Sequence, residues 1–354
     1  AIKRPRHTIP DINFIRAQLA GAKYFTLLDI SAGFWNLKLS KNSSDLCTFN
    51  TPFGRYKFKR LAFGINAGSE IFQSTMQNEF RDIENLLIYI DDFCVYGKNE
   101  TEHDAALLKV LRRAKEIGIR FKLVKCRFKQ TEFKFLGEIH SENSVRIDPD
   151  RIAAIQSLEP PKNIRELQRF LGVVNYLRAF LPSLSAQTEN LRKLLRKDSL
   201  WQWSEIHTKE YDSLKALITK APILAHYNVN MPVVLSVDAS KDALGAVIMQ
   251  NKKPIAFAST TLTKSQLSWG QIEKELLAIY FGCSKYHQYC FGQKILVESD
   301  HKPLETLFRK PFHNIPIRLQ RLMLKLERYD ICVKYVPGKN LVIADALSRA
   351  PLRN

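Results

Sequence analysis

Several things are scarce in this chain, and each scarcity excludes something. No run of about eighteen apolar residues occurs, so no membrane-spanning helix is expected. Cys47, Cys94, Cys126, Cys283, Cys290 and Cys332 form no Cys-x-x-Cys pair, which leaves no zinc-ribbon or thioredoxin-like motif. Four of the six sit in apolar runs, where a thiol behaves as a small hydrophobe, and a reducing compartment is expected. Residues 1–10 contain charges and two prolines but no apolar core segment, so they do not read as a signal peptide. An initiator Met is also missing, which reads as a piece of a processed polyprotein. There is no internal repeat and no low-complexity tract. Negative charge is short: 35 Asp and Glu stand against 54 Lys and Arg, a net charge of +19.

That imbalance is the strongest bulk property of the chain. A protein this basic usually meets a polyanion, and nucleic acid is the default partner. The basic residues are spread along the chain and not gathered in a tail, which favours a long channel. With 354 residues and 45% hydrophobic content, the chain can bury real cores and divides into two to four subdomains.

The pattern of elements changes along the chain. Residues 12–20 predict a short helix and Tyr24–Ile30 a strand that carries Asp29 near its end. Residues 49–63 predict a hairpin. Ile71, Phe72, Met76 and Phe80 recur at helical spacing. Leu86–Ile90 and Phe93–Tyr96 predict two strands joined by Asp91–Asp92 as a two-residue turn. Leu107, Val110, Leu111, Ala114 and Ile117 mark an amphipathic helix, and strands follow at 119–123 and 133–139. After Pro160–Pro161 comes a helical block. Asn163 and Glu166 form a candidate capping box, and Leu167, Phe170, Leu171, Val174, Leu177 and Leu181 form one stripe. Arg165, Arg169 and Arg178 lie off that stripe, where a phosphate backbone could reach them; a solvated basic face is the bland alternative. Residues 201–231 read as a tether that Trp201, Trp203, Tyr211, Leu214 and Leu217 pack down. From Pro232 the order is three strands, a helix, a strand, two helices, a strand and a last helix from 341, which describes an α/β layered domain.

Two sets of carboxylates carry the chemistry. Phosphoryl transfer by two divalent cations about 3.5–4 Å apart needs several carboxylates on rigid elements. Asp29 at a strand end and Asp91–Asp92 at a hairpin tip converge if their strands pair in one sheet. Taken alone, an Asp-Asp pair is more often a plain turn. Here very apolar flanks back the tip. The second set is Asp238 after a strand, Glu275 on a helix, Asp300 at a strand end and Asp345 on the last helix. For Glu273 the surface reading is kept.

These segments resemble a known family. Tyr89-Ile90-Asp91-Asp92 is similar to the YxDD box of reverse transcriptases. Tyr24 through Phe34 resembles the FxxLDLxxGY segment of retroelements, and Leu61 through Gln73 resembles MPFGLxNAPxxFQ. Lys125-Cys126 and Leu136-Gly137-Glu138-Ile139 resemble the KKCxF and primer-grip segments. Further on, Val237-Asp238-Ala239-Ser240, Glu273 through Ile279, Asp300-His301-Lys302-Pro303-Leu304 and Pro337 through Arg349 resemble the TDAS, EKELLAI, TDHxPL and PGxxNxxADALSR segments of retroelement RNases H. The chain is therefore identified as resembling the reverse transcriptase–RNase H portion of a gypsy-type LTR retrotransposon Pol polyprotein, covering nearly its whole length.

The resemblance implies a fold. An α+β palm of the right-hand reverse transcriptase type, with partial fingers and a helical thumb, would precede an α/β RNase H-like domain. The boundaries expected are 1–149 for partial fingers and palm, 150–200 for the thumb-like region, 201–231 for a connection, and 232–350 for RNase H. It implies that Asp29, Asp91 and Asp92, and separately Asp238, Glu275, Asp300 and Asp345, are catalytic and each set binds two Mg²⁺, with Mn²⁺ as a substitute. Phe34, Phe63, Gly64, Tyr89 and Lys125 would line the nucleotide site, with Phe34 favouring dNTPs. Leu136, Gly137, Arg165, Arg169 and Arg178 would contact nucleic acid. The partners implied are an RNA template, a DNA primer, RNA–DNA hybrid and dNTPs, with protease and integrase elsewhere on the polyprotein and no membrane. Oligomeric state, host and primer tRNA stay open, and the location implied is a cytoplasmic virus-like particle with a nuclear stage left open.

There are departures from the family. Gly68-Ser69 stands where it has Ala-Pro, and Pro337-Gly338-Lys339-Asn340 lacks the loop His of cellular RNases H, as gypsy-type members do. The upstream fingers segment expected of the family precedes this chain, which reads as N-terminally truncated. Three functions are therefore carried: a bifunctional polymerase–nuclease, an RNase H with an inert polymerase, and a hybrid-binding remnant without catalysis.

Overall fold

The computed structural model describes residues 7–196 and 199–337. Contacts within the chain define two compact units, one of residues 1–133 and 140–143, the other of residues 134–139 and 144–354.

In the first unit, α1 (Ile12–Gln18) starts where the Asp11 carboxylate accepts the Phe14 N–H at 2.8 Å, a side-chain N-cap. Then come β1 (Tyr24–Asp29), α2 (Lys41–Leu46) and a hairpin of β2 (Thr48–Thr51) and β3 (Gly54–Lys57). α3 (Gly68–Glu79), β4 (Leu86–Tyr89), β5 (Asp92–Gly97), α4 (Glu100–Ile117) and β6 (Arg127–Gln130) complete it. The sheet has the order β4-β5-β1-β6, antiparallel throughout. Phe72 and Met76 of α3, Phe80 at its C-cap, and Ala106, Val110 and Ala114 of α4 pack against Leu28, Ile88, Phe93 and Val95 of the strands. Each buried Leu or Phe side chain contributes about 1.5–3 kcal/mol of transfer free energy, so packing and not local propensity fixes these helices.

Three expectations need correction. The hairpin turn is Ile90–Asp91, not Asp91–Asp92, because Tyr89 pairs with Asp92 in the ladder and Ile90 takes a left-handed φ of 52°. Residues 119–123 contribute a single bridge, Ile30 to Phe121, before a 3₁₀ turn at Leu123–Lys125, so no strand forms there. The strand expected at 133–139 is broken into β7 (Glu132–Phe135) and β8 (Glu138–Ser141). Leu136 at φ 51° and Gly137 at φ 77° make a turn between them that an extended chain cannot contain.

The second unit continues through β9 (Ser144–Ile147), α5 (Pro149–Gln156), α6 (Ile164–Tyr176), α7 (Glu189–Lys193), α8 (Glu205–Thr219) and β10 (Leu224–Ala225). Asn163 caps α6 by accepting the Glu166 N–H at 3.0 Å, while Glu166 accepts from the Asn163 amide and the Lys162 N–H. The stripe from Leu167 to Leu181 is buried with Tyr211, Leu214 and Ile218 of α8. Residues read as a tether thus include a four-turn helix with its own share of the core. Leu224 of β10 pairs with Val145 of β9.

Last come β11 (Val233–Ala239), β12 (Ala243–Gln250), β13 (Lys253–Thr261), α9 (Lys264–Leu267), α10 (Gln271–Lys285), α11 (His287–Cys290), β14 (Lys294–Ser299), α12 (Pro303–Arg309), α13 (Ile317–Leu326) and β15 (Asp330–Tyr335). The sheet order is β13-β12-β11-β14-β15; β11 to β13 are antiparallel, and β14 and β15 run parallel to β11. α10 lays Leu276, Ile279 and Cys283 on the face formed by Leu235, Val237 and Ala246. The close approach explains Gly282, where an added Cβ would lie 3.0 Å from Leu235. The expected final helix, with Asp345, lies outside the described residues. No described helix is long and apolar enough to cross a membrane.

Two candidate carboxylate centres

The first centre sits where β1 meets the β4–β5 hairpin. Strand pairing sets Asp29 directly opposite Asp92. The Ile30 N–H donates to the Asp91 carbonyl at 3.1 Å and ties the turn to the end of β1. Gln73 of α3, fully buried, clamps the turn from below. Its Nε2 donates to the Ile88 carbonyl at 2.8 Å, and its Oε1 accepts the Ile90 N–H at 2.7 Å. Those two backbone groups flank the strained Ile90 and would otherwise be unsatisfied.

Asp91 turns its side chain inward against Gly33. Its Oδ1 is buried and has no hydrogen-bond partner among the described residues. Burial raises the Asp91 carboxyl above its ordinary range first, and the charge of Asp29 raises it further. Asp92 is raised by the same two causes and by Asp91, although its edge stays open to solvent. Against three carboxylates, one cation among the described residues forms an ion pair: Lys125, whose Nζ lies 3.1 Å from Asp29 Oδ2. The cluster is therefore short of positive charge, and an orphaned carboxylate oxygen faces it. A hard, oxygen-seeking divalent cation fits that donor set.

Next to the carboxylates, Phe34 stands in a 3₁₀ turn at Gly33–Asn36, its ring 5.3 Å from Phe63 and 5.4 Å from Phe72. Phe63 is 63% exposed, and Gly64 follows at φ 82°. Tyr89 is half-buried at the end of β4. Lys125, expected near a nucleotide, is the ion-pair partner of Asp29 in this structure.

In the second unit, Asp238 on β11, Glu275 one turn into α10 and Asp300 just past β14 converge. One carboxylate oxygen from each lies within 4.8 Å of the others. The parallel pairing of β11 with β14 brings the first and third to the same sheet end, and α10 starts over that end. Gln271 fixes Glu275: its Nε2 donates to Glu275 Oε1 at 2.7 Å and to the Ala239 carbonyl at 2.8 Å. Burial, and then the charge of Asp238, push the Glu275 carboxyl up to about 8. Its Oε2 is buried without a hydrogen-bond partner among the described residues. The three carboxylates line a cavity of about 380 Å³ together with Gln271, Lys241 and His301. His301 is held below its usual pKa by burial, against the opposing pull of Asp300. This centre too offers oxygen ligands that fit a divalent cation. Asp345, the fourth expected ligand, lies outside the described residues.

The remaining expected residues fall elsewhere. Leu136 and Gly137 form a clamped turn: the Leu136 carbonyl accepts from the Tyr176 hydroxyl at 2.7 Å and from Arg151 at 3.2 Å. The Arg151 guanidinium lies 4.4 Å from the Tyr176 ring centre. Arg165 and Arg169 are exposed on α6, and Arg178 is exposed on the 3₁₀ turn after it. Gln73, Gln271, Arg151 and Gly33 carry supporting roles that sequence reading did not assign. Gln73 and Gly33 lie inside the quoted segments, so a position was visible but its contact was not.

Comparison with known proteins agrees with this geometry. Residues 2–140 match the family described as reverse transcriptase (RNA-dependent DNA polymerase), and residues 203–297 match the RNase H-like domain found in reverse transcriptase. The chain is 33% identical over 350 residues to the retrovirus-related Pol polyprotein from transposon 297 of Drosophila melanogaster, covering 97% of this chain and 33% of that one. It is 30% identical over 358 residues to the transposon Tf2-3 polyprotein of Schizosaccharomyces pombe, covering 98% of this chain and 27% of that one. The chain thus spans about a third of the length of the curated relatives it matches. The fold is similar to a foamy viral protease–reverse transcriptase in complex with double-stranded DNA, with TM-score 0.85, 24% identity, and 95% of this chain and 60% of that one covered. A foamy viral protease–reverse transcriptase in complex with RNA/DNA hybrid gives TM-score 0.79 at 23% identity, over 99% of this chain and 48% of that one.

Proposed function

This chain belongs to the reverse transcriptases that carry an RNase H-like domain in retrotransposon Pol polyproteins, and on that premise we propose that it is both an RNA-directed DNA polymerase and a ribonuclease H. The observation that carries the reading is the pair of carboxylate centres, each with a buried oxygen, on Asp91 and on Glu275, that has no hydrogen-bond partner among the described residues.

In the first unit Asp29, Asp91 and Asp92 would hold two divalent cations, Mg²⁺ in the first place with Mn²⁺ as a substitute. The Phe34 ring, propped by Phe63 and Phe72, lies under the sugar of the incoming dNTP, where a 2′-hydroxyl would collide with it. Phe63, Gly64 and Tyr89 border that nucleotide, and the Leu136–Gly137 turn with Arg165 and Arg169 holds the primer–template. In the second unit Asp238, Glu275 and Asp300 would hold the cations, with Asp345 as the fourth ligand that the family resemblance implies. The Glu275 carboxyl, pushed up to about 8 by burial and the charge of Asp238, would give up its proton to serve as a ligand. When bound, the cations activate the attacking oxygen and stabilise the leaving one at both centres. The partners proposed are an RNA template, a DNA primer, their hybrid and dNTPs, with protease and integrase from the same polyprotein, in a cytoplasmic particle.

The test uses the whole chain with a labelled DNA primer on an RNA template and Mg²⁺. Primer extension that Asp92→Asn removes, and hybrid cleavage that Asp300→Asn removes, are expected, each variant keeping the other activity. Cleavage without extension would reduce the chain to an RNase H; loss of neither activity in either variant would overturn the reading.

A further inference from the structure

A second cavity in the second unit shares no residue with the carboxylate centre. It measures about 310 Å³ and lies along the outer edge of β13. Three cations line it: Arg178 from the 3₁₀ turn after α6, Arg192 from α7 and Lys285 from the last turn of α10. No carboxylate lines it, and none of the three forms an ion pair among the described residues. Lys193, next to Arg192, takes Glu189 instead. Like charges so gathered repel, and Lys285 shows it: burial first, then the charge of Arg178, depress its pKa. Only part of Arg192 is engaged, its Nε donating to the Thr188 hydroxyl at 2.9 Å.

Hydroxyls complete the wall. Ser259 Oγ accepts from the Ser185 N–H at 3.0 Å and from the Ser185 hydroxyl at 2.7 Å. Its own proton has no acceptor among the described residues, so it is left to donate into the cavity. Converging cations and O–H donors, with no anion, are the chemistry of a phosphate seat.

Its place in the sheet says which phosphate. Strand register puts Asp238, Gly245 and Ser259 in one row across β11, β12 and β13. Directly opposed residues point to the same face, so Asp238 and Ser259 face one side of the sheet two strands apart. Two strand spacings are about 10 Å, the axial length of about three nucleotides in one strand. A polynucleotide lying at the carboxylates would reach this cavity within a few nucleotides.

We propose that the cavity bounded by Arg178, Arg192, Lys285 and Ser259 seats a backbone phosphate of the nucleic acid that the neighbouring carboxylate centre acts on. The inference rests on the nuclease reading of that centre and adds an anchoring site to it. The shared chemistry is a phosphate anion, and a free phosphate is the other source to be separated.

The full chain, wild type and Arg178→Gln/Lys285→Gln, is titrated into labelled RNA–DNA hybrid with Ca²⁺ in place of Mg²⁺, and anisotropy is followed as salt is raised. Neither side chain forms an ion pair among the described residues, so the variant keeps its melting temperature; Arg192→Gln serves as a milder second variant. Lys253→Gln, at the far end of β13, is the control. The double variant is expected to bind about tenfold or more weakly, since one charge-assisted hydrogen bond to a phosphate contributes about 1.5 kcal/mol or more. The slope of log K against log salt should drop by about one per cation removed. The control should match wild type. Hybrid bound by wild type and double variant with equal affinity and slope would overturn the seat while leaving the nuclease reading standing. Inorganic phosphate detected by ³¹P NMR on wild type only, with unchanged hybrid affinity, would overturn it in favour of a free anion. Failure of the wild type to bind hybrid at all would remove the nuclease reading, and this inference with it.

Discussion

A Cβ placed on Gly33 would fall 2.1 Å from Oδ1 of Asp91. The absence of one methyl group thus lets the hairpin carboxylate fold inward beside β1, with its oxygen buried and open to a cation. The preceding Ala32 takes a left-handed φ of 52° to bring Gly33 there.

Gly33→Ala should therefore disable the first centre alone. The methyl cannot fit, so Asp91 must move by an ångström or more, and a misplacement of that size costs about 100-fold in rate. Primer extension and hybrid cleavage measured on the same preparation give the comparison. Extension should fall by about that factor and cleavage should hold, whereas equal loss of both would mean general misfolding.

Gln73→Leu removes both hydrogen bonds that hold the hairpin turn. It leaves the Ile88 carbonyl and the Ile90 N–H buried without partners, at a cost of about 1–3 kcal/mol each. Chemical denaturation of the whole chain should show the transition of the first unit moving to lower denaturant. Extension should weaken even under conditions where that unit stays folded. An unchanged transition would show that the turn holds without Gln73.

Gln271→Ala tests the support of the second centre. The hydrogen bond from Gln271 lowers the Glu275 pKa, opposing burial and the charge of Asp238. Without it the carboxyl binds its proton more tightly, so a larger share of the site is protonated at any given pH. The acid limb of the pH–rate profile for hybrid cleavage should move to higher pH, with a loss of about 10–100-fold at neutral pH. A uniform loss at every pH, with the limb in place, would mean that Gln271 acts only by packing.

Glu275 also couples stability to pH. Its folded pKa of about 8 stands above its ordinary 4.5, so the folded state holds the proton more tightly than the unfolded state. That contribution to stability is fully present below about 4.5 and is lost as pH rises toward about 8. Glu275→Gln cannot ionise and escapes the loss. In the absence of divalent metal, its melting temperature should exceed that of wild type by a margin that grows between pH 5 and pH 8. Adding Ca²⁺ should close the gap by stabilising the wild-type carboxylate. A margin that does not change with pH would rule out this titration.

The order of carboxylates could be read from the chain because each sits where a local signal ends. Asp29 closes an apolar strand, Asp300 follows one, Glu275 heads a Leu-Leu-Ala-Ile run, and Asp91–Asp92 interrupts two β-prone segments. Alternation and periodicity depend only on neighbours along the chain, so the five strands and the longer helices from Val233 to Tyr335 were also accessible, while the one-turn helices α9 and α11 were not. The hairpin turn was misplaced by one residue because register depends on which residue of β5 faces Tyr89, a fact set across the ladder. Residues 119–123 failed as a strand for a similar reason: their apolar content is shared with real strands, but only Phe121 meets a partner.

The sequence by itself determined the chemistry available to this protein: two sets of acids, a surplus of positive charge, and the segments that place each acid at the end of a rigid element. Tertiary structure alone decided what surrounds them. Gln73 under the Ile90 turn, Gly33 against Asp91, Gln271 on Glu275 and the uncompensated cations beside Ser259 are contacts between residues distant in the chain. No periodicity encodes such contacts, because they follow from how whole faces pack, and packing is a property of the folded chain.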